Sequence, residues 1–160
     1  MNPRTLQLTL RLDAPTPAPD TQWGAGTTIA YLGGRLTLVL DTACRVAMRI
    51  GDELHVPLPP AATARQICDA AESWLREEAL RLFTEKSALA GCNAPHGVRQ
   101  AVAVKLVFGK RSDWARLEGK QLRCHWRLIE QPLAVISQVL TQALASQTPA
   151  LQSDDLFALA

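Results

Sequence analysis

Leu6, Leu8, Leu10 and Leu12 alternate with Thr5, Gln7, Thr9 and Arg11, and this period of two predicts a half-buried strand. Pro15, Pro17 and Pro19 follow within a short stretch that reads as an extended linker. Residues 1–24 are therefore expected to be an added strand and its tether, and residues 25–160 a domain. From Thr27 the alternation returns. TTIAYL and RLTLVL flank Gly33-Gly34, and RVAMRI and ELHVPL flank Gly51-Asp52, which predicts two β-hairpins with glycine turns. In the second hairpin Ile50 pairs with Glu53 and Met48 with His55. That register makes His55 a strand residue away from any catalytic cluster.

Beyond Pro57, Pro59 and Pro60 the period lengthens. Ile67, Ala71, Trp74, Leu75, Ala79, Leu82 and Phe83 recur at helical spacing, opposite Arg76, Glu77, Arg81 and Glu85. Thr63 with Gln66 three residues on is a capping box. Gly91 suits a left-handed cap and Pro95 stops continuation. A long helix over about 64–90 is predicted. AVAVKLVFG from Ala101 reads as a strand, the next residues as a charged loop, and QLRCHWRLI, 121–129, as another strand. Pro132 opens a last helix. Its apolar stripe is Leu133, Ile136, Val139, Leu140, Ala143 and Leu144, and it ends near Ser146 or Gln147, before Pro149. The terminal SDDLFALA reads as a short acidic turn capped by Ser153.

With 160 residues, 48% apolar and 20% charged, the composition suits one globular domain with its own core. No apolar run reaches the ~18–20 residues of a membrane span, and the alternating N-terminus is unlike a secretion signal. Cys44, Cys68, Cys92 and Cys124 form no CxxC pair, so they read as reduced thiols of a cytoplasmic protein. The net charge of +2 is unevenly placed. Lys105, Lys110, Arg111, Arg116, Lys120, Arg123 and Arg127 cluster in one segment, and no Lys or Arg follows Leu128. This marks a possible basic surface for nucleic acid, beside the plainer reading of a solvated face.

Enzyme chemistry finds little support. Cys92 and His96 are separated by Pro95, which prevents a shared helical face. Cys124 and His125 are adjacent in a strand and so face opposite sides. Glu72, Glu77, Glu78 and Glu85 have spacings that fit ion pairs on a helix surface. No nucleophile elbow, phosphate-binding glycine loop or Ser/His/Asp arrangement is present.

The order hairpin, hairpin, long helix, strand, strand, helix carries several diffuse motifs over 26–157. YLGGRLTLVLD, LHVPLPP and AESWLREEALRLF come first, then Trp114, HWRLIEQP (125–132), VISQVLTQALAS (135–146) and QSDDLF (152–157). Together these resemble the YgjP-like metallopeptidases, relatives of SprT-type zincins. Family members show an RWGSC-type segment, NWRLI before a proline, VIDYVVVHELAH on the active-site helix and then NHSPRFW. The resemblance implies an α+β, zincin-like fold, with β-hairpins in a mixed sheet packed against a long helix and a degenerate active-site helix.

For chemistry the same comparison is negative. HExxH places two histidines on one helical face with a glutamate as general base, and a third ligand completes the zinc site. Position by position, the ligands become Gln142, Ser146 and Gln152, and the general base becomes Ala143. WARL (114–117) also replaces the tail of WGSC. Amide and hydroxyl oxygens are poor zinc ligands beside imidazole, and a methyl group activates no water. The expectation is a catalytically inactive, metallopeptidase-like protein without metal or cofactor. It would act as a binding, scaffolding or regulatory subunit, with a protein partner or a second copy and no membrane contact. The alternative is nucleic-acid association through the basic 105–127 segment.

Overall fold

The computed structural model describes residues 23–92, 102–109 and 113–146. The strand and linker expected before Trp23, the 93–101 loop and the terminal turn lie outside those residues. The described chain is α+β, with two open mixed sheets and two α-helices. The first sheet holds β1 (Thr28–Tyr31), β2 (Gly34–Leu40), β3 (Met48–Ile50) and β4 (Glu53–Val56) in the order β1-β2-β4-β3. β3 and β4 are antiparallel, with Met48 opposite His55 and Ile50 opposite Glu53, as the glycine turn requires. β2 and β4 are parallel neighbours, with Val39 opposite His55. β3 thus lies beyond β4, and the 41–47 connection has to pass the end of β4 to reach it. Asp41 N–H donates to Val56 O at 2.9 Å and ties that crossing down.

The first hairpin turns one residue earlier than the Gly33-Gly34 pair suggests. Tyr31 pairs with Gly34, so the turn residues are Leu32 (φ 47°) and Gly33 (φ 79°). Two positive φ values match the twist of the flanking strands, although leucine rarely adopts one. The cause is tertiary. Leu32 N–H donates to Ile129 O at 2.8 Å and Gly33 N–H to Glu130 O at 3.0 Å, which fastens the turn to the segment before the last helix.

α1 (Ala64–Cys92) opens on the predicted capping box. Thr63 N–H donates to Gln66 Oε1 at 2.9 Å, and Gln66 N–H to Thr63 Oγ1 at 3.3 Å. Gly91 belongs to the helix instead of forming a left-handed cap. Ile67, Ala71, Leu75, Ala79, Leu82 and Phe83 are buried along one side. The Tyr31 hydroxyl donates to Glu78 Oε1 at 3.0 Å and its ring lies 5.5 Å from Trp74, joining β1 to α1. Along α1 Arg76 pairs with Glu72, and Arg81 with Glu78 and Glu85.

The second sheet holds β5 (Ala103–Val107), β6 (Ala115–Glu118) and β7 (Gln121–His125) in the order β5-β7-β6, parallel then antiparallel. β6 falls where a charged loop was expected. Its signal is short but present: Ala115 and Leu117 alternate with Arg116 and Glu118, and Gly119 (φ 61°) makes the turn. Val104, Leu122 and Leu117 align across the sheet, as do Leu106, Cys124 and Ala115. These two apolar rows join the core cluster.

β7 stops at His125, four residues short of the expected end, and a 3₁₀ turn covers Trp126–Glu130. Trp126, Leu128 and Ile129 are all buried. A strand would send the neighbours Leu128 and Ile129 to opposite faces, whereas the tighter turn buries both. α2 (Leu133–Ala145) follows Pro132 and buries Ile136, Leu140 and Ala143, while Leu133 is exposed. α1 packs against α2, the 3₁₀ turn, β4 and β5, so one core cluster spans both sheets. Among the described residues no helix is long and apolar enough to cross a membrane.

Candidate functional site

Gln142, Ala143 and Ser146 lie at the C-terminal end of α2. Gln142 and Ser146 are exposed and Ala143 is buried. The Ser146 hydroxyl donates to the Gln142 main-chain oxygen at 2.8 Å, as a serine near a helix end commonly does. It is therefore engaged with backbone, not with the Gln142 amide. Gln152 lies outside the described residues.

α2 packs on β6, and between them runs an open groove of about 380 Å³. Asp113, Ala115, Arg116, Leu117, Ala143 and Ser146 line it. Asp113, Arg116 and Ser146 bring polar groups to it beside Ala115, Leu117 and Ala143, and β6 is the outer strand of its sheet among the described residues. An outer strand presents backbone N–H and C=O groups with no partner on that side. Trp114, between two lining residues in sequence, has a buried indole N–H with no hydrogen-bond partner among the described residues.

The basic segment divides. Lys105 is directly opposite Arg123, and Arg123 directly opposite Arg116, so three cations form one row across the second sheet. Like charges facing each other across strands are unfavourable. Glu118 offsets part of this with an ion pair to Arg123 at 3.1 Å. Lys120 is exposed beyond the row at the β6–β7 turn. Arg127 is half-buried, and its guanidinium stacks on Trp126 at 5.4 Å. Arg76 stacks on the same indole at 5.3 Å. Lys110 and Arg111 lie outside the described residues.

Cys124 is buried beneath the second sheet, while His125 on the other side meets the Gly109 carbonyl through Nε2 at 3.0 Å. Burial pushes the Cys124 thiol up to about 12, from an ordinary value of 9.0. The folded state then keeps a proton that the unfolded state loses above pH 9.0, so stability falls as pH rises from 9.0 towards 12. The expected slope for this one group is about 1.4 kcal/mol per pH unit. Denaturant unfolding at pH 8 and pH 10.5 checks it: wild type should lose more stability over that interval than Cys124→Ala.

His55 keeps the predicted register, opposite Met48. Its ring lies between two carboxylates, with Nδ1 3.1 Å from Asp41 Oδ2 and Nε2 3.1 Å from Glu53 Oε2. The Cys44 thiol donates to the same Asp41 oxygen at 3.3 Å. Only the parallel pairing of β2 with β4 and the crossing of 41–47 bring these residues together, and no local motif announces it. Compared with protein-family models, with curated proteins and with solved structures, the chain matches none.

Proposed function

We propose that this protein is a non-catalytic, metallopeptidase-like binding domain whose β6–α2 groove receives an extended segment of a partner protein. The observation that carries the reading is the groove itself: a strand that is outermost among the described residues runs beside a helix end, and Ala115, Leu117 and Ala143 are among the residues lining the space between them. Strand addition supplies affinity through main-chain hydrogen bonds, and alternate side chains of the added segment supply specificity. In the zincin-like reading, Gln142, Ala143 and Ser146 stand where ligand and base would be. None of the three is an imidazole or a carboxylate, and in this reading a segment held there is bound and not cut. Asp113 and Arg116 favour a segment carrying both signs of charge.

The test is selection of binders from a random-peptide display library against the folded chain, followed by affinity measurement on two variants. Ser146→Trp fills the groove from an exposed position, and it should weaken selected peptides about tenfold or more, at least about 1.4 kcal/mol. Gln138→Trp, exposed on α2 and not a groove residue, should leave affinity unchanged. Equal affinity for wild type and Ser146→Trp would remove the groove from the account.

A second reading rests on the Lys105–Arg123–Arg116 row, which suits a phosphate backbone. Three neutralised phosphates on duplex DNA give a slope of about −2.7 for log K against log salt. Lys105→Gln should make that slope shallower by about 0.9 if the row is used. A salt-independent signal, or the same slope in wild type and Lys105→Gln, excludes it.

A further inference from the structure

We propose that Asp41, Cys44 and His55 form a binding site for a divalent transition-metal ion of the zinc class, with Glu53 orienting the histidine. The ligand-bearing atoms of the first three lie within 4.8 Å of one another. Asp41 Oδ2 lies 3.1 Å from His55 Nδ1 and 3.3 Å from Cys44 Sγ. Tetrahedral zinc with bonds of about 2.0–2.3 Å has ligand-to-ligand edges of about 3.3–3.6 Å. Both separations are within a few tenths of an ångström of such an edge.

The surrounding hydrogen bonds fit ligation. A metal-binding histidine usually donates its second ring N–H to a carboxylate, which fixes the tautomer and aims the free lone pair. Glu53 Oε2, 3.1 Å from His55 Nε2, is placed for that contact and leaves Nδ1 facing Asp41. Two lone pairs would then face each other across 3.1 Å, a contact that only a proton or a cation makes favourable. Asp41 is likewise oriented, because its Oδ1 accepts from Ala43 N–H at 2.9 Å. His55 and Asp41 thus each have an outer partner already in place.

The donor set selects the metal. One thiolate, one imidazole and one carboxylate suit zinc and its neighbours, whereas magnesium and calcium prefer oxygen throughout. On binding, the Cys44 thiol loses its proton to solvent and forms the metal–sulfur bond. Asp41 and His55 Nδ1 contribute existing lone pairs, and His55 keeps its proton on Nε2. The side chains of His55 and Asp41 are 16% and 31% exposed, so solvent reaches the site. The site stands independently of the groove: it uses the crossing between β2 and β3, and neither α2 nor β6 contributes to it.

The full chain, reduced and stripped with chelator, is titrated with Co²⁺ as a spectroscopic probe. One equivalent per chain is expected, with a thiolate-to-cobalt charge-transfer band that Zn²⁺ displaces. Cys44→Ser should abolish that band, and Cys68→Ser should leave it. Glu53→Gln should keep the band but weaken affinity about 10- to 100-fold. A band that survives Cys44→Ser, no band in wild type, or unchanged affinity in Glu53→Gln would each overturn the proposal. Should a variant fail to fold, X-ray absorption on the zinc-loaded wild type decides. One sulfur with nitrogen and oxygen neighbours supports the site; no sulfur, or more than one, refutes it.

Discussion

Phe83→Ala is expected to lower the free energy of unfolding by about 3–5 kcal/mol, the usual cost of truncating a fully buried aromatic ring. Phe83 is 0% exposed and belongs to the cluster that joins both sheets through α1. Its loss removes contacts that no side chain can recover by turning to solvent, and the surrounding structure collapses only partly onto the space left. Leu89 is on the same helix but 52% exposed. Leu89→Ala should change stability by about 0.5 kcal/mol or less. Chemical denaturation of both variants measures the contrast. Similar losses for the two would mean that α1 is not the element on which the two sheets are assembled.

Gly33→Ala should be the second largest loss, about 3 kcal/mol, for two separable reasons. Gly33 has φ 79°, and an L-residue in the left-handed region costs roughly 1–2 kcal/mol. A Cβ there would also stand 2.8 Å from Pro132 Cγ and 3.1 Å from Pro132 Cα, against a rigid ring and backbone. Relieving that overlap pulls the turn away from Ile129 and Glu130 and weakens two hydrogen bonds, each about 1 kcal/mol. Gly119 supplies the control. Its φ is 61°, but a Cβ there meets nothing within 4 Å among the described residues. Gly119→Ala should therefore cost about 1–2 kcal/mol, the backbone contribution alone. The difference between the two variants measures the docking of the first hairpin onto the entrance of α2. Equal losses would show that this docking contributes no stability.

Much of the secondary structure was legible because it rests on local signals. The capping box at Thr63 and Gln66, the apolar side of α1, the Gly51-Asp52 hairpin and the stripe of α2 are all written within a few residues. β6 was legible in principle, from Ala115 and Leu117 ahead of Gly119, but Arg116 and Glu118 made those residues look like a loop. The end of β7 was less accessible. Nothing in QLRCHWRLI distinguishes a continued strand from the 3₁₀ turn, because the choice depends on both Leu128 and Ile129 reaching the core. The shift of the first turn to Leu32-Gly33 is also tertiary, since its hydrogen bonds go to residues nearly a hundred positions away.

The sites show the same division more sharply. Positions 142, 143 and 146 of α2 could be named from sequence, but the groove beside them could not, because β6 forms its other wall. Lys105, Arg116 and Arg123 could be named as basic, but their alignment depends on the pairing of three strands. Asp41, Cys44, Glu53 and His55 looked like ordinary loop and strand residues. Parallel pairing between two hairpins, which no periodicity encodes, is what gathers them. The proposed metal site on the first sheet also changes what a zinc measurement would mean. Zinc in the purified protein would not by itself restore a catalytic α2, and its location has to be read through Cys44.

The central claim is that the β6–α2 groove holds an extended segment without cutting it. Amide chemical-shift mapping on isotopically labelled protein, with a selected peptide added in the presence of chelator, tests it most directly. The account predicts shifts concentrated at Ala115–Glu118 and Ala143–Ser146, with the peptide recovered intact after prolonged incubation. Shifts concentrated elsewhere, binding that disappears with chelator, or recovery of cleaved peptide would contradict it.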